Sequence, residues 1–242
     1  MKKIYMLKYF ISFLALTFCL SNFSQEKTKD SLYKSTYGLK LGIDLSKQIR
    51  MLTEPDYNGL VLIGDYRFSE KIYIAFEIGS EKKLVENEIL NFNTKGSFFK
   101  TGINYNIFKN IQDLENEIYV GLRFGSSQFD HQINSFTIYN TDQYWSQNNI
   151  KNPISHNNLS ASWLEFVVGF NAQIVKNLYM GLNLKVNRLL SQDKPDNFNN
   201  LYIPGFNKVL ETIMLGLDFH IQYNTKFHFL EKIQINYYFS SF

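Results

Sequence analysis

From Thr36 onward the chain alternates between apolar and polar or small residues. Tyr37, Leu39, Leu41, Ile43 and Leu45 are apolar, and Gly38, Lys40, Gly42 and Asp44 stand between them. Side chains repeat every two residues on a strand, so each such run has one apolar face and one polar face. The pattern returns seven times, around Leu60–Phe68, Ile72–Gly79, Phe99–Ile107, Ile118–Gly125, Leu164–Ile174, Leu178–Asn187 and Ile213–Gln222. None of these runs has the 3.6-residue period of an amphipathic helix. The prediction is an all-β chain with eight antiparallel strands, and a count of eight to ten is compatible with the pattern.

The connections alternate in length. Short ones fall at Ser69-Glu70-Lys71 and Val175-Lys176-Asn177, with a medium one at 108–116; longer ones fall at 46–58, 80–96, 128–161 and 188–210. Short periplasmic turns and long external loops characterise up-and-down transmembrane β-barrels. A water-soluble barrel alternates in the same way with the apolar face inward. Here the polar face mixes charges with glycines, which suits a crowded lumen, and the apolar face is large and unbroken. The domain plan is therefore a barrel over 36–225 with four external loops at the ranges above.

The N-terminus turns the reading toward export. Lys2, Lys3 and Lys8 precede an apolar run from Phe10 to Leu20, the layout of a secretory signal peptide. Cleavage after Ser24 would remove residues 1–24 and leave 25–35 as a periplasmic lead-in. The single cysteine, Cys19, lies in the removed part, and Phe18 occupies the place where a lipid-attachment motif needs a small residue. The mature chain then has no thiol for a disulfide or a metal. Aromatic residues make up 17% of the 242 residues, and net charge is only +3, which argues against nucleic acid as a partner. Outer-membrane lipid and, during biogenesis, the barrel-assembly machinery are the expected partners, with an outer-membrane location.

Ten charges fall on the polar face: Lys40, Arg67, Lys100, Arg123 and Lys185 against Asp44, Asp65, Glu77, Glu165 and Asp218. An eight-stranded barrel is just wide enough for its side chains to fill. Buried charges must be paired, so balanced signs predict an ion-pair network that plugs the lumen. No catalytic, cofactor or metal motif stands out. A Ser–His pair drawn from Ser127 or Ser155 with His131 or His156, the two histidines read as residues of the long external loop, is the one arrangement that would suit a lipid-modifying or proteolytic barrel; His220 falls near the periplasmic end and His228 in the tail. Tyr139, Tyr144 and Trp145, and Phe206 in the next loop, are the candidate external recognition residues for a glycan or protein ligand.

Several segments resemble an uncharacterised family of outer-membrane barrels typical of Bacteroidetes: residues 37–47, Gly64-Asp65-Tyr66-Arg67, 119–125, Thr137-Ile138-Tyr139-Asn140-Thr141, Pro195-Asp196-Asn197-Phe198 and Ile203-Pro204-Gly205-Phe206. The resemblance implies the fold and the outer-membrane location, and no activity. It covers the chain to about residue 230. Beyond it, Ile233–Phe239 alternates again and the chain closes on Phe242. An added ninth strand would break the even count, so 226–242 is read as an extension or part of the closing strand. The functional expectation is a non-enzymatic barrel with a plugged lumen, serving surface binding or envelope integrity. The alternatives are a barrel enzyme and a transporter of small solutes or hydrophobic ligands.

Overall fold

The structure is a computed structural model that describes residues 38–108, 116–138, 148–150, 153–195, 199–208 and 213–225. The signal segment, the lead-in, Tyr139, Tyr144, Trp145, His228 and the tail 226–242 lie outside the described residues. Each of the eight alternating runs is a strand: β1 (Leu39–Asp44), β2 (Tyr57–Arg67), β3 (Ile72–Glu86), β4 (Leu90–Asn106), β5 (Glu117–Ile138), β7 (Ile154–Val175), β8 (Leu178–Gln192) and β11 (Ile213–Thr225). Neighbours pair antiparallel in chain order, and β1 also pairs with β11, from Leu39↔Thr225 to Asp44↔His220. The sheet thus closes into an eight-stranded barrel. A short β6 (Asn148–Ile150) adds to the end of β5, and a helix α1 (Leu45–Thr53) joins β1 to β2. A small hairpin of β9 (Tyr202–Ile203) and β10 (Asn207–Lys208) sits between β8 and β11.

The loop ranges need correction. Most of 80–96 is strand: β3 runs to Glu86, β4 starts at Leu90, and their ladder holds register from Ile72↔Tyr105 to Glu86↔Asn91. Much of 128–161 is also strand, in β5 and β7. Segment 46–58 is largely α1, capped by the Asp44 carboxylate, which accepts from the Ser46 amide at 2.9 Å. The two strand stretches look like loops because their outward positions are polar, which ends the apolar–polar alternation, while 46–58 is a helix, whose period a two-residue alternation does not show. A strand does not stop where its outer face becomes hydrophilic.

That change of face is the main feature of the wall. Along β5, the outward residues Ile118, Val120, Leu122 and Phe124 give way to Ser126, Gln128, Asp130, Gln132 and Asn134. The inward residues change in the opposite sense, from Glu117, Tyr119 and Arg123 to Phe129 and Ile133. On β4, Phe99, Ile103 and Tyr105 face out below Asn93, Lys95 and Ser97, while Lys100, Asn104 and Asn106 face in below Phe92 and Phe98. On β3, Ile74 and Ile78 face out below Ser80 and Lys82. The register aligns these switches, because Ser80 pairs with Ser97 and Ser97 with Gln128. The barrel has two storeys: a lower one with apolar outside and polar inside, and an upper one with the reverse. The short turns at 68–71 and 176–177 and both barrel termini lie at the lower end.

The upper storey has the core of a soluble protein. Val61, Ile63, Phe98, Phe129, Ala161 and Trp163 of the wall enclose Ile203 and Phe206 from the hairpin. Above them Tyr57, Phe92 and Ile133 pack with Tyr202, flanked by Met51 of α1. The β9–β10 hairpin therefore folds into the barrel mouth. Its turn depends on Gly205 at φ +80, a left-handed conformation in which a side chain would also collide with the Phe98 ring.

Candidate functional site

Position along each strand decides which lumen groups meet. Inward residues two apart follow one another along a strand, and cross-strand partners lie side by side on the tilted ladder. At the lowest level, Arg67 turns toward the rim, donating to the carbonyls of Ser69 at 3.3 Å and Glu70 at 3.0 Å. It pins the β2–β3 turn and takes no part in the central ion pairs, which corrects its expected place. Its length lets it reach free carbonyls at the barrel end. Above it, Lys40 donates to Glu117 at 2.5 Å and sits 4.2 Å from the centre of the Tyr179 ring. Asn171 also donates to Glu117, at 3.1 Å.

The next level is neutral apart from Asp65, which accepts from Asn104 at 3.1 Å and Gln222 at 2.6 Å. Tyr119 donates to Asn183 at 2.5 Å, and His220 Nε2 meets Asn171 Oδ1 at 2.7 Å. His220 is therefore part of the lumen packing. Asp44 caps α1 and is otherwise turned to the lumen beside Asp65 and Asp218.

The central network follows. Glu77 is its hub, bonded to Arg123, to Lys185 at 3.0 Å and to Lys100 at 3.4 Å. Glu165 lies 2.8 Å from Lys100 and accepts from the Trp163 indole at 2.8 Å, and Asp218 pairs with Lys185. Three cations and three anions thus interlock on β3, β4, β5, β7, β8 and β11. The two pockets along this stretch each have space for about one water molecule. Desolvation offsets much of the Coulomb attraction in such a network, so its effect is to fix the interior rather than to add much stability.

At the mouth stands Glu81, fully buried and absent from the expected set. Its Oε1 lies 3.1 Å from Lys47 of α1, and its Oε2 accepts from the Tyr202 hydroxyl at 2.5 Å and the Gly205 amide at 3.1 Å. One carboxylate thus ties helix and hairpin to the wall. Burial alone would raise its pKa; the Lys47 charge and these hydrogen bonds outweigh that and hold it below the usual range. The same burial, together with Glu81, pushes the Tyr202 hydroxyl far up, so it stays protonated and donates. Arg50 extends the lock, lying 4.0 Å from the centre of the Tyr57 ring and donating to Asn207 at 3.1 Å.

Two further expectations change. Phe206, proposed as an external recognition residue, is fully buried, edge-on to Trp163 with ring centroids 5.7 Å apart. The Gly205 turn drives it inward, where an apolar ring belongs. His131, read as a loop residue, is a fully buried inward residue of β5; its Nδ1 lies 2.5 Å from the Thr94 hydroxyl, and its cross-strand partner is His156. Burial and the neighbouring His156 push it down to about 4, so it is neutral at pH 7. Ser127 donates to the Ser97 carbonyl, away from either imidazole.

Glu81, Lys47 and Glu117 were missed. Glu81 keeps the parity of Glu77 and Glu117 that of Tyr119 and Arg123, so extending two runs would have found both. Lys47 gave no such signal, because it enters the lumen from a helix.

The crystal structure of Ail, the attachment invasion locus protein of Yersinia pestis, is similar over 78% of this chain and 97% of that one, with a TM-score of 0.40 and 9% identity. No curated protein matches the chain. A family profile described as a domain of unknown function, DUF6048, matches residues 6–228. The chain belongs to this DUF6048 family.

Proposed function

We propose that this protein is an outer-membrane barrel with a closed lumen, acting from its outer storey in surface binding or envelope integrity rather than in conduction or catalysis. The exchange of faces at one height carries the reading. An outward surface of Leu60, Leu62, Ile78, Phe99, Ile103, Leu122, Phe124, Phe166 and Leu184, each about half exposed, is unfavourable in water at about 25 cal/mol per Å². In hydrocarbon it is the surface a barrel needs. The polar outer face above the switch suits water instead.

Dimensions agree. The 22 residues of β5 span about 70 Å, or about 50 Å of height at a tilt near 40°. An outer-membrane apolar band is about 25 Å tall, so the upper half of β5 stands clear of the lipid. The stacked networks and the buried hairpin support a closed interior.

Two measurements test the proposal. The mature chain is expected to lack cysteine, so Asn157→Cys in the upper storey and Glu70→Cys in a lower turn can be labelled separately. A membrane-impermeant maleimide should label Asn157→Cys on intact cells and Glu70→Cys only after lysis; equal labelling of both would overturn the orientation. Purified protein in planar bilayers should be silent, and reproducible conductance steps would overturn the closed lumen.

A further inference from the structure

The helix α1 is amphipathic in the wrong sense for a protein in water. At 100° per residue, Lys47, Arg50 and Met51 share one face and Leu45, Ile49 and Leu52 the opposite one. The polar face packs inward: Lys47 meets Glu81, Arg50 meets Asn207, and both are held over the mouth. The apolar face points away from the barrel. Ile49 is 53% exposed and Leu52 is 87% exposed, more than any other large apolar side chain among the described residues.

Position explains this. The stripe continues the outward row Leu39, Leu41 and Ile43 of β1, and on the far side of α1 the outward row resumes with Leu60 and Leu62 of β2. The first polar outward residue of β2 is Asn58, five residues past the helix. On the other flank, β11 begins at Ile213, which pairs with Arg188, the point where the outer face of β8 meets its first charge. The helix therefore sits at the height where the wall changes from apolar to polar.

We infer that α1 is an interfacial helix whose Leu45–Ile49–Leu52 stripe docks into the acyl chains of the outer leaflet. This rests on the membrane reading above and extends it: one face of α1 contacts lipid while the other holds Glu81 and the hairpin. An apolar helix face at this height buries itself at the headgroup–acyl boundary, while the polar face of α1 is satisfied by the protein. The continuity of the stripe with the apolar band selects lipid over a second protein.

The test uses an environment-sensitive dye on single cysteines in vesicles of phosphatidylethanolamine and phosphatidylglycerol, with doxyl-labelled phosphatidylcholine as quencher. Leu52→Cys probes the helix, Leu217→Cys the apolar band and Asn157→Cys the aqueous storey. Leu52→Cys should shift to shorter wavelength and lose the same fraction of emission as Leu217→Cys, with Asn157→Cys unchanged. If Leu52→Cys behaves like Asn157→Cys while Leu217→Cys is quenched, the helix inference is overturned and the barrel reading stands. If Leu217→Cys is also unquenched, the barrel reading itself fails. A Leu52→Cys dye that is shielded yet unquenched, with energy transfer between labelled copies, would assign the stripe to a second copy and overturn lipid docking.

Discussion

Replacing Glu81 by Gln removes one charge and almost no volume, and it separates the mouth lock from the rest of the fold. The wild-type carboxylate neutralises buried Lys47 and accepts from Tyr202 and Gly205. Both hydrogen bonds end on Oε2, so the amide oxygen in that place can keep them, and the amide N–H2 then faces Lys47 where Oε1 stood. It cannot neutralise Lys47. Breaking one partner of a buried ion pair costs about 3–5 kcal/mol, and the retained hydrogen bonds place this change near the lower end, at about 3 kcal/mol. The loss should fall on the hairpin and helix, since the central network does not include Glu81. At 1.4 kcal/mol per factor of ten, the Gly205 amide should then exchange with deuterium about a hundredfold faster. Amides of the β3–β4 ladder near Glu77 should keep their rates. The assay is site-resolved hydrogen exchange on the folded protein in detergent micelles. Lys47→Met in the Glu81→Gln background should recover part of the loss, because no unpaired charge remains. Unchanged Gly205 exchange in Glu81→Gln would refute the lock. Equal acceleration throughout the barrel would refute its local character.

Two other outcomes follow from the upper storey. Phe206→Ala should lower unfolding stability in urea by about 3–5 kcal/mol, because the ring is fully buried against Trp163; a loss under about 1 kcal/mol would show that the hairpin does not fill the mouth. For His131, the folded imidazole titrates at about 4 against 6.5 in the ordinary state. Below about pH 6.5 the unfolded chain takes up a proton that the folded one refuses. Stability therefore falls as pH drops from about 6.5 to about 4, and this contribution levels off below. The slope from this group cannot exceed about 1.4 kcal/mol per pH unit. His131→Gln should flatten the curve in that window, and identical slopes for both proteins would count against the buried neutral histidine.

The lower storey was legible because both of its faces obey the alternation: Leu122 and Phe124 out, Arg123 in. Two unlike faces with charges on one define strand, parity and lumen together. The upper storey was harder to read. Ser126, Gln128 and Asp130 look like loop residues, and their partners Phe129, His131 and Ile133 were not set against them as an inner face. The mouth lock was least legible. Its acidic member is on β3, its basic member on α1 and its hydroxyl donor on a hairpin 121 residues away from Glu81. No local period links such residues. Phe206 shows the converse: an aromatic in a loop suggests display, while the left-handed glycine before it turns the ring inward.

The seam between β1 and β11 has a consequence for assembly. It joins residues 186 apart in sequence, as in the Thr225 hydroxyl bond to the Leu39 carbonyl, and β1 contributes only six residues to it. Until Ile213–Thr225 is in place, β1 and β8 each keep an unpaired edge open to strangers. Pairings so distant in sequence form slowly. The chain must therefore be shielded along its whole length before closure, and its shortest wall strand is the last gate to shut.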